Sequence, residues 1–349
     1  MATKGRRPTS STTLAAVYIG TVIGAGFASG QEVLQFFALL GPLGFLALAV
    51  ATAVLALFGY LVLAAGHTLR AQSYGPVLLH VAGPLVGRII DVIITFFLFG
   101  GLAAMLAGAG ATLNQEFGLP LEAGLLGMGI LTALTVLAGI HGVITAVSVV
   151  VPLLLGGVLV VSAGTLLGHP VDLSFSRPQE AAVPNWFLSG VTYGSYNLIL
   201  STSVLAPVAR LARRPSLLPG ALLGGVGLGL SALAVNLTIL AHVPEAAATE
   251  VPMLFAADRL SPLIGLAYTA VLLAEVYTTA VGSLFGFVSR TVGEGHRWFK
   301  AVTLGTTAAA GLAATVGFST IVGTLYPLVG YAGLLLLAAL ALAALRGRL

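Results

Sequence analysis

The chain has 349 residues, 58% of them hydrophobic and only 7% charged, and its mean hydropathy is +1.06. A soluble domain carries about 25% charged residues, so the composition excludes one and points to an integral membrane protein. The net charge is +4 and cysteine is absent, which removes disulfides, thiolate nucleophiles and cysteine-based metal sites.

The apolar stretches are too continuous for barrel strands, which alternate over about ten residues. They read as helices, and about twenty residues span the hydrocarbon core. Ten segments fit: 11–37, 43–66, 86–113, 121–140, 143–168, 184–209, 215–242, 261–289, 298–316 and 320–345. The expected breaks include Gly41-Pro42, His67 to Pro84, His141-Gly142 and Gly317 to Ser319. Met1 to Ser10 is basic and the stretch after it has no small-residue cleavage site, so the first segment reads as a retained helix and not as a signal peptide.

The middle of that first helix reads Gly20-Thr21-Val22-Ile23-Gly24-Ala25-Gly26-Phe27-Ala28-Ser29-Gly30-Gln31-Glu32. Glycine costs about 1 kcal/mol relative to alanine inside a helix, and four of these thirteen residues are glycine. Gly20/Gly24 and Gly26/Gly30 have the spacing of a packing face. The step from 24 to 26 turns about 200°, however, and sets the two pairs on opposite sides. Opposed glycine faces followed by Ser29, Gln31 and Glu32 suit an interrupted helix whose freed peptide groups face a cavity. The outer half would start mid-membrane with bare N–H groups, so that Gly24, Ala25, Gly26 and Phe27 could cradle a carboxylate. The inner half would end in spare carbonyls suited to a sodium ion or an ammonium group. Glu32 lies about 9 Å beyond the break by helical rise, either as an outer gate or simply snorkelling to the headgroups.

The connection 169–183 divides the chain into residues 1–168 and 169–349, with five helices each. Five is odd, so the second half enters the membrane in the opposite sense, as in an inverted repeat. Helix 6 should then be broken like helix 1. Its centre, Gly190 to Asn197, is a polar island with a glycine at each of 190 and 194, and Tyr193, Gly194, Ser195 and Asn197 are the contacts expected there.

Glu275 is the deepest ionisable residue, about 15 Å or more from either interface. A carboxylate at that depth costs around 3 kcal/mol unless paired or protonated, which points to ion or proton coupling or to an amine partner. Thr278 and Thr279 follow one turn later and could complete a cation site with helix-1 carbonyls, although such hydroxyls often bond their own backbone. Asp91, three residues after Arg88, reads as a surface ion pair, and Phe96, Phe97 and Phe99 as packing or pocket residues. The six histidines have no metal-ligand spacing, and no nucleotide-binding glycine pattern or nucleic-acid patch is present. With the N-terminus inside, thirteen of the fifteen Lys and Arg fall on the cytoplasmic side, which puts both termini in the cytoplasm.

The helix-1 motif, with ten helices and both termini inside, resembles the YkvI-type membrane permeases, distant members of the amino acid–polyamine–organocation superfamily. That resemblance implies the LeuT fold and transport. It also implies that the carbonyls of Gly20 and Ile23, with the hydroxyls of Thr278 and Thr279, hold a sodium ion, and that helices 1, 2, 6 and 7 rock against 3, 4, 8 and 9. Glu275 stands where such relatives have a small neutral residue, and favours proton coupling.

The expected protein is therefore all-α, with ten transmembrane helices in a 5+5 inverted repeat and broken helices 1 and 6, in a bacterial inner membrane. The expected activity is ion-coupled secondary transport of a small amino-acid-like or amine solute, with no enzymatic chemistry and no cofactor beyond a sodium ion or proton. An uncoupled channel or facilitator and a non-transporting sensor are the alternatives.

Overall fold

The computed structural model describes residues 9–138, 143–293 and 296–349, with 143–149 described by backbone alone. The break expected at His141-Gly142, and Lys4, Arg6 and Arg7, lie outside the described residues.

Helix α1 (Ser11–Val22) begins where the Ser10 hydroxyl accepts from the Thr13 amide at 3.1 Å. It stops after three turns. Ile23 and Gly24 are extended, and the chain re-enters helix as α2 (Ala25–Ala28). Gly30, at φ +83°, takes a left-handed conformation that glycine adopts without strain, and α3 (Gln31–Phe36) follows it. The Met253 amide donates to the Ser29 carbonyl at 3.0 Å and fixes this second corner.

After Gly41 comes α4 (Pro42–Thr68), and then α5 (Gly75–Phe117), a 43-residue element bent at Gly83 (φ +75°). Pro84 follows that glycine and cannot donate to the helical ladder. Next are α6 (Leu121–Ala138), α7 (Val143–Gly168), α8 (Trp186–Ala209), α9 (Arg214–Leu240) and the short α10 (Pro252–Leu260). The chain closes with α11 (Pro262–Thr291), α12 (Phe299–Ala314) and α13 (Phe318–Leu345). Gly317 (φ +97°) separates the last two, and the Glu250 carboxylate accepts from the Ser319 amide at 2.7 Å to cap α13. Among the described residues, seven helices (α4, α5, α6, α7, α9, α11 and α13) are long and apolar enough to cross a membrane.

The packing sorts these elements into two groups. In one, α4 packs on α8 and α9, and α1 lies against the same two helices. In the other, α5 packs on α6, α11 and α12, which also touch one another. Direct contact between the groups is sparse, and α7 and α13 lie along both.

The expectation of a broken helix 6 is not met: α8 is helical from Trp186 to Ala209 without interruption. Its glycines serve another purpose. A Cβ on Gly190 would overlap the Ala47 carbonyl oxygen, and one on Gly194 would lie 2.6 Å from Val54 Cγ1. Both are needed for backbone-close packing against α4, the small-residue contact by which membrane helices associate. Gly190→Ala is accordingly expected to lower the thermal midpoint of the purified protein. Alanine gains about 1 kcal/mol of helix propensity, but overpacking against an immovable carbonyl costs about 1–3 kcal/mol or more.

Asp91 also differs from expectation. It pairs with Arg290 across the α5–α11 contact and accepts from the Tyr74 hydroxyl at 2.8 Å, while Arg290 Nε donates to Thr95 Oγ1 at 3.0 Å. The pair joins helices within one packing group.

Candidate functional site

The interruption between α1 and α2 opens onto a cavity of about 230 Å³. One wall is the stretch from Gly20 to Gly26 with Glu32, Tyr196 and Asn197, and of its elements α1 and α8 belong to the first packing group. The facing wall is Phe97, Gly101 and Met105 of α5 with Glu275, Thr278, Thr279 and Ser283 of α11, from the second. The cavity therefore lies on the boundary between the groups. A larger hollow of about 590 Å³ between α6 and α12 is walled by exposed side chains such as Leu126, Ile130 and Leu312, and is a groove in the outer apolar surface.

The end of α1 leaves its last carbonyls without helical donors, and the start of α2 leaves its first amides without helical acceptors. Gly20, Ile23, Gly24, Ala25 and Gly26 all line the cavity, so the interrupted stretch of chain borders it.

Two carboxyl groups share the space. Glu275 is only 4% exposed; Thr279 Oγ1 donates to its Oε1 at 3.4 Å, and its Oε2 has no partner among the described residues. Glu32 is 5% exposed and accepts from the Tyr196 hydroxyl. Its Oε1 occupies the place where a Cβ on residue 26 would stand. Gly26 is thus required by the Glu32 carboxyl and not by its own backbone angles. Among the described residues, no Lys, Arg or His lines the cavity. A buried carboxylate with no counter-charge is costly, so this site favours whatever brings positive charge to it, a cation or a proton.

No family model matches the chain. The uncharacterized membrane protein YkvI of Bacillus subtilis is 30% identical over 338 residues, covering 95% of both chains. The chain belongs to the YkvI family. YyaD of the same organism, also uncharacterized, is 30% identical over 332 residues, covering 93% of this chain and 94% of its own. In structure this YkvI-family chain is similar to inward-facing Mhp1 (TM-score 0.64, 14% identity, 95% of this chain and 77% of that one). It is similar to MhsT in complex with L-phenylalanine (0.58, 17%, 94% and 89%) and to a manganese transporter of Eremococcus coleocola (0.59, 12%, 95% and 78%). The fold is that of the LeuT-type proteins, and the chain is a multi-pass membrane protein.

In the YkvI-family structure, the helix-1 residues, Glu275, Thr278, Thr279 and Asn197 come together as a single site. Phe27 is buried behind it and does not line the cavity. Tyr193 packs its ring on Phe36 and Phe37, with centroids 5.4 and 4.8 Å away; Gly194 faces α4; and Ser195 donates to the Gly330 carbonyl at 2.6 Å. These three are structural, since an unbroken α8 turns only the face carrying Tyr196, Asn197 and Leu200 to the cavity. Thr278 donates to the Glu275 carbonyl at 3.0 Å within its own helix.

Glu32 is a correction too. After the left-handed Gly30 the carboxyl sits against Gly26 in the cavity wall, only 5% exposed, and does not snorkel out to the headgroups. Of the three phenylalanines only Phe97 lines the site; Phe96 is exposed and Phe99 packs on Phe287. Ser283 and Tyr326 were missed. Ser283 continues the four-residue spacing of Glu275 and Thr279 down one face of α11, a signal legible in the sequence.

At one end of the bundle, Asp258 of α10 lies against Gly265 and faces Glu116. Burial and then the neighbouring Glu116 carboxylate push its pKa up to about 6. A raised carboxyl pKa means that the folded state binds the proton more tightly than the unfolded state. Its stabilising effect is therefore present below the ordinary value near 3.8 and is lost as the pH rises through about 6. In a dry site the shift would amount to about 3 kcal/mol; the group is partly exposed to solvent, which screens it, so about 1 kcal/mol is expected. Melting at pH 5 and pH 7.5 checks this, and Asp258→Asn should remove the difference.

Proposed function

We propose that the protein is a secondary transporter of a small amine or amino-acid-like solute, coupled to a proton or sodium ion and working by alternating access. The observation that carries this reading is the cavity at the interrupted helix. It lies between two separately packed helix groups and holds two buried carboxyls without a basic residue. A site on such a boundary opens to either side when one group rocks against the other. The solute's ammonium would be met by Glu32, by the carbonyls at the end of α1 and by the faces of Tyr196 and Phe97. A solute carboxylate would take the amides at residues 24–26. Glu275, with Thr278, Thr279 and the carbonyls of Gly20 and Ile23, would take the coupling ion.

In this reading α1 to α3 together, α8 and α12 join the seven apolar helices to make ten spans, related as 1–168 and 169–349, with both termini in the cytoplasm of a bacterial cell. The test is uptake of radiolabelled amino acids and amines into proteoliposomes under imposed sodium and proton gradients. Accumulation driven by one gradient is expected. Flux indifferent to both would make the protein a facilitator, and failure of any such solute to bind or cross would end the transport reading.

A further inference from the structure

At the end of the bundle where α4 stops and α9 starts, two adjoining hollows of about 420 and 170 Å³ share His67 in their walls. Arg70 and Arg210 line the first, and Arg214 the second. His67 Nδ1 is hydrogen-bonded to the Ala209 carbonyl at 3.1 Å, which ties the floor of the site to α8. Among the described residues, none of the three arginines has an ion-pair partner.

Two local choices here are unfavourable by themselves. Arg70 is the one non-glycine among the described residues with positive φ (+46°). It occupies the residue just past α4, where the Ala71 amide returns to the Gly66 carbonyl at 2.9 Å and glycine is the unstrained choice. Arg214 opens α9 with Arg213 before it and no acid in the first turn, so positive charge stands at the positive end of the helix dipole. Topology alone asks for basic residues somewhere near this end; it does not ask for one in a left-handed conformation or for two at a helix start. An anion seated among the three guanidinium groups would offset both costs.

The surface below is apolar. Leu218 and Leu222 follow Arg214 at four-residue steps on α9, and Leu57 lies two to three turns below His67 on α4; all three are exposed. A basic mouth over an apolar face matches a phosphate ester joined to acyl chains. We infer that this is a binding site for an anionic phospholipid, its phosphodiester held by Arg70, Arg210 and Arg214 and its chains along α4 and α9. Planar guanidinium groups bind phosphate oxygens in pairs, which suits them to this role.

The experiment is thermal unfolding of the purified protein in detergent with added phosphatidylglycerol, phosphatidylcholine or inorganic phosphate. Phosphatidylglycerol is expected to raise the midpoint by about 2–5 °C, and the other two are not. Arg70→Gly should raise the starting midpoint by relaxing the backbone, yet lose most of the lipid response. Arg210→Gln with Arg214→Gln should lose the response with little change in the starting midpoint. Retained lipid, counted by native mass spectrometry, gives a second measure. An undiminished response in both variants would overturn the site, and an equal response to phosphatidylcholine or to inorganic phosphate would overturn its occupant.

Discussion

Gly26→Ala is expected to weaken solute binding by roughly ten- to a hundredfold, while Gly24→Ala, two residues away, leaves Glu32 in place and weakens it much less. The difference lies in what each new methyl group would meet. At Gly24 a Cβ finds nothing within 4 Å, and φ −124° suits any residue. At Gly26 it takes the space of Glu32 Oε1, so the carboxyl must leave and the Tyr196 hydroxyl loses its acceptor. A hydrogen bond to a charged group is worth about 1.5–3 kcal/mol, which corresponds to about ten- to a hundredfold in affinity. The side chain can move, so the fold should survive with a loss of about 1–2 kcal/mol. Isothermal titration with the solute that best stabilises the wild type checks the pair. Equal behaviour of the two variants would mean that Glu32 has no part in binding.

Glu275→Gln is expected to abolish the response of uptake to the driving gradient and to raise thermal stability. Glutamine keeps the shape and the contact with Thr279 but cannot take up and release positive charge. Accumulation that depends on such a group should fall by about ten- to a hundredfold, equivalent to about 1.4–2.8 kcal/mol. Stability should move the other way, because Oε2 has no partner and an unpaired carboxylate at membrane depth costs around 3 kcal/mol. Activity that falls as stability rises marks a residue kept for function. A variant still driven by the same gradient would remove Glu275 from the coupling.

The interruption of the first helix was legible because glycine there had no good alternative explanation: two pairs on opposite faces cannot serve one contact. The same residue type misled in α8. Gly190 and Gly194 lie on one face, and one face is what the seam with α4 uses. Depth in the membrane located Glu275, since composition and helical rise are enough for that. Glu32 was misplaced because its position depends on one left-handed residue, Gly30, and neighbouring letters do not reveal which glycine turns the chain. Tyr326 reaches the cavity from α13, a neighbour that only tertiary packing reveals.

An uninterrupted α8 leaves the cavity with bare peptide groups on a single side, from residues 20–26, and with side chains elsewhere. Peptide groups are the same whatever the residue, so substitutions there need not change what that side offers. Divergence in cargo among homologues should then be written at Phe97, Tyr196, Asn197 and Tyr326, and swapping these four positions between two relatives should exchange their preferences.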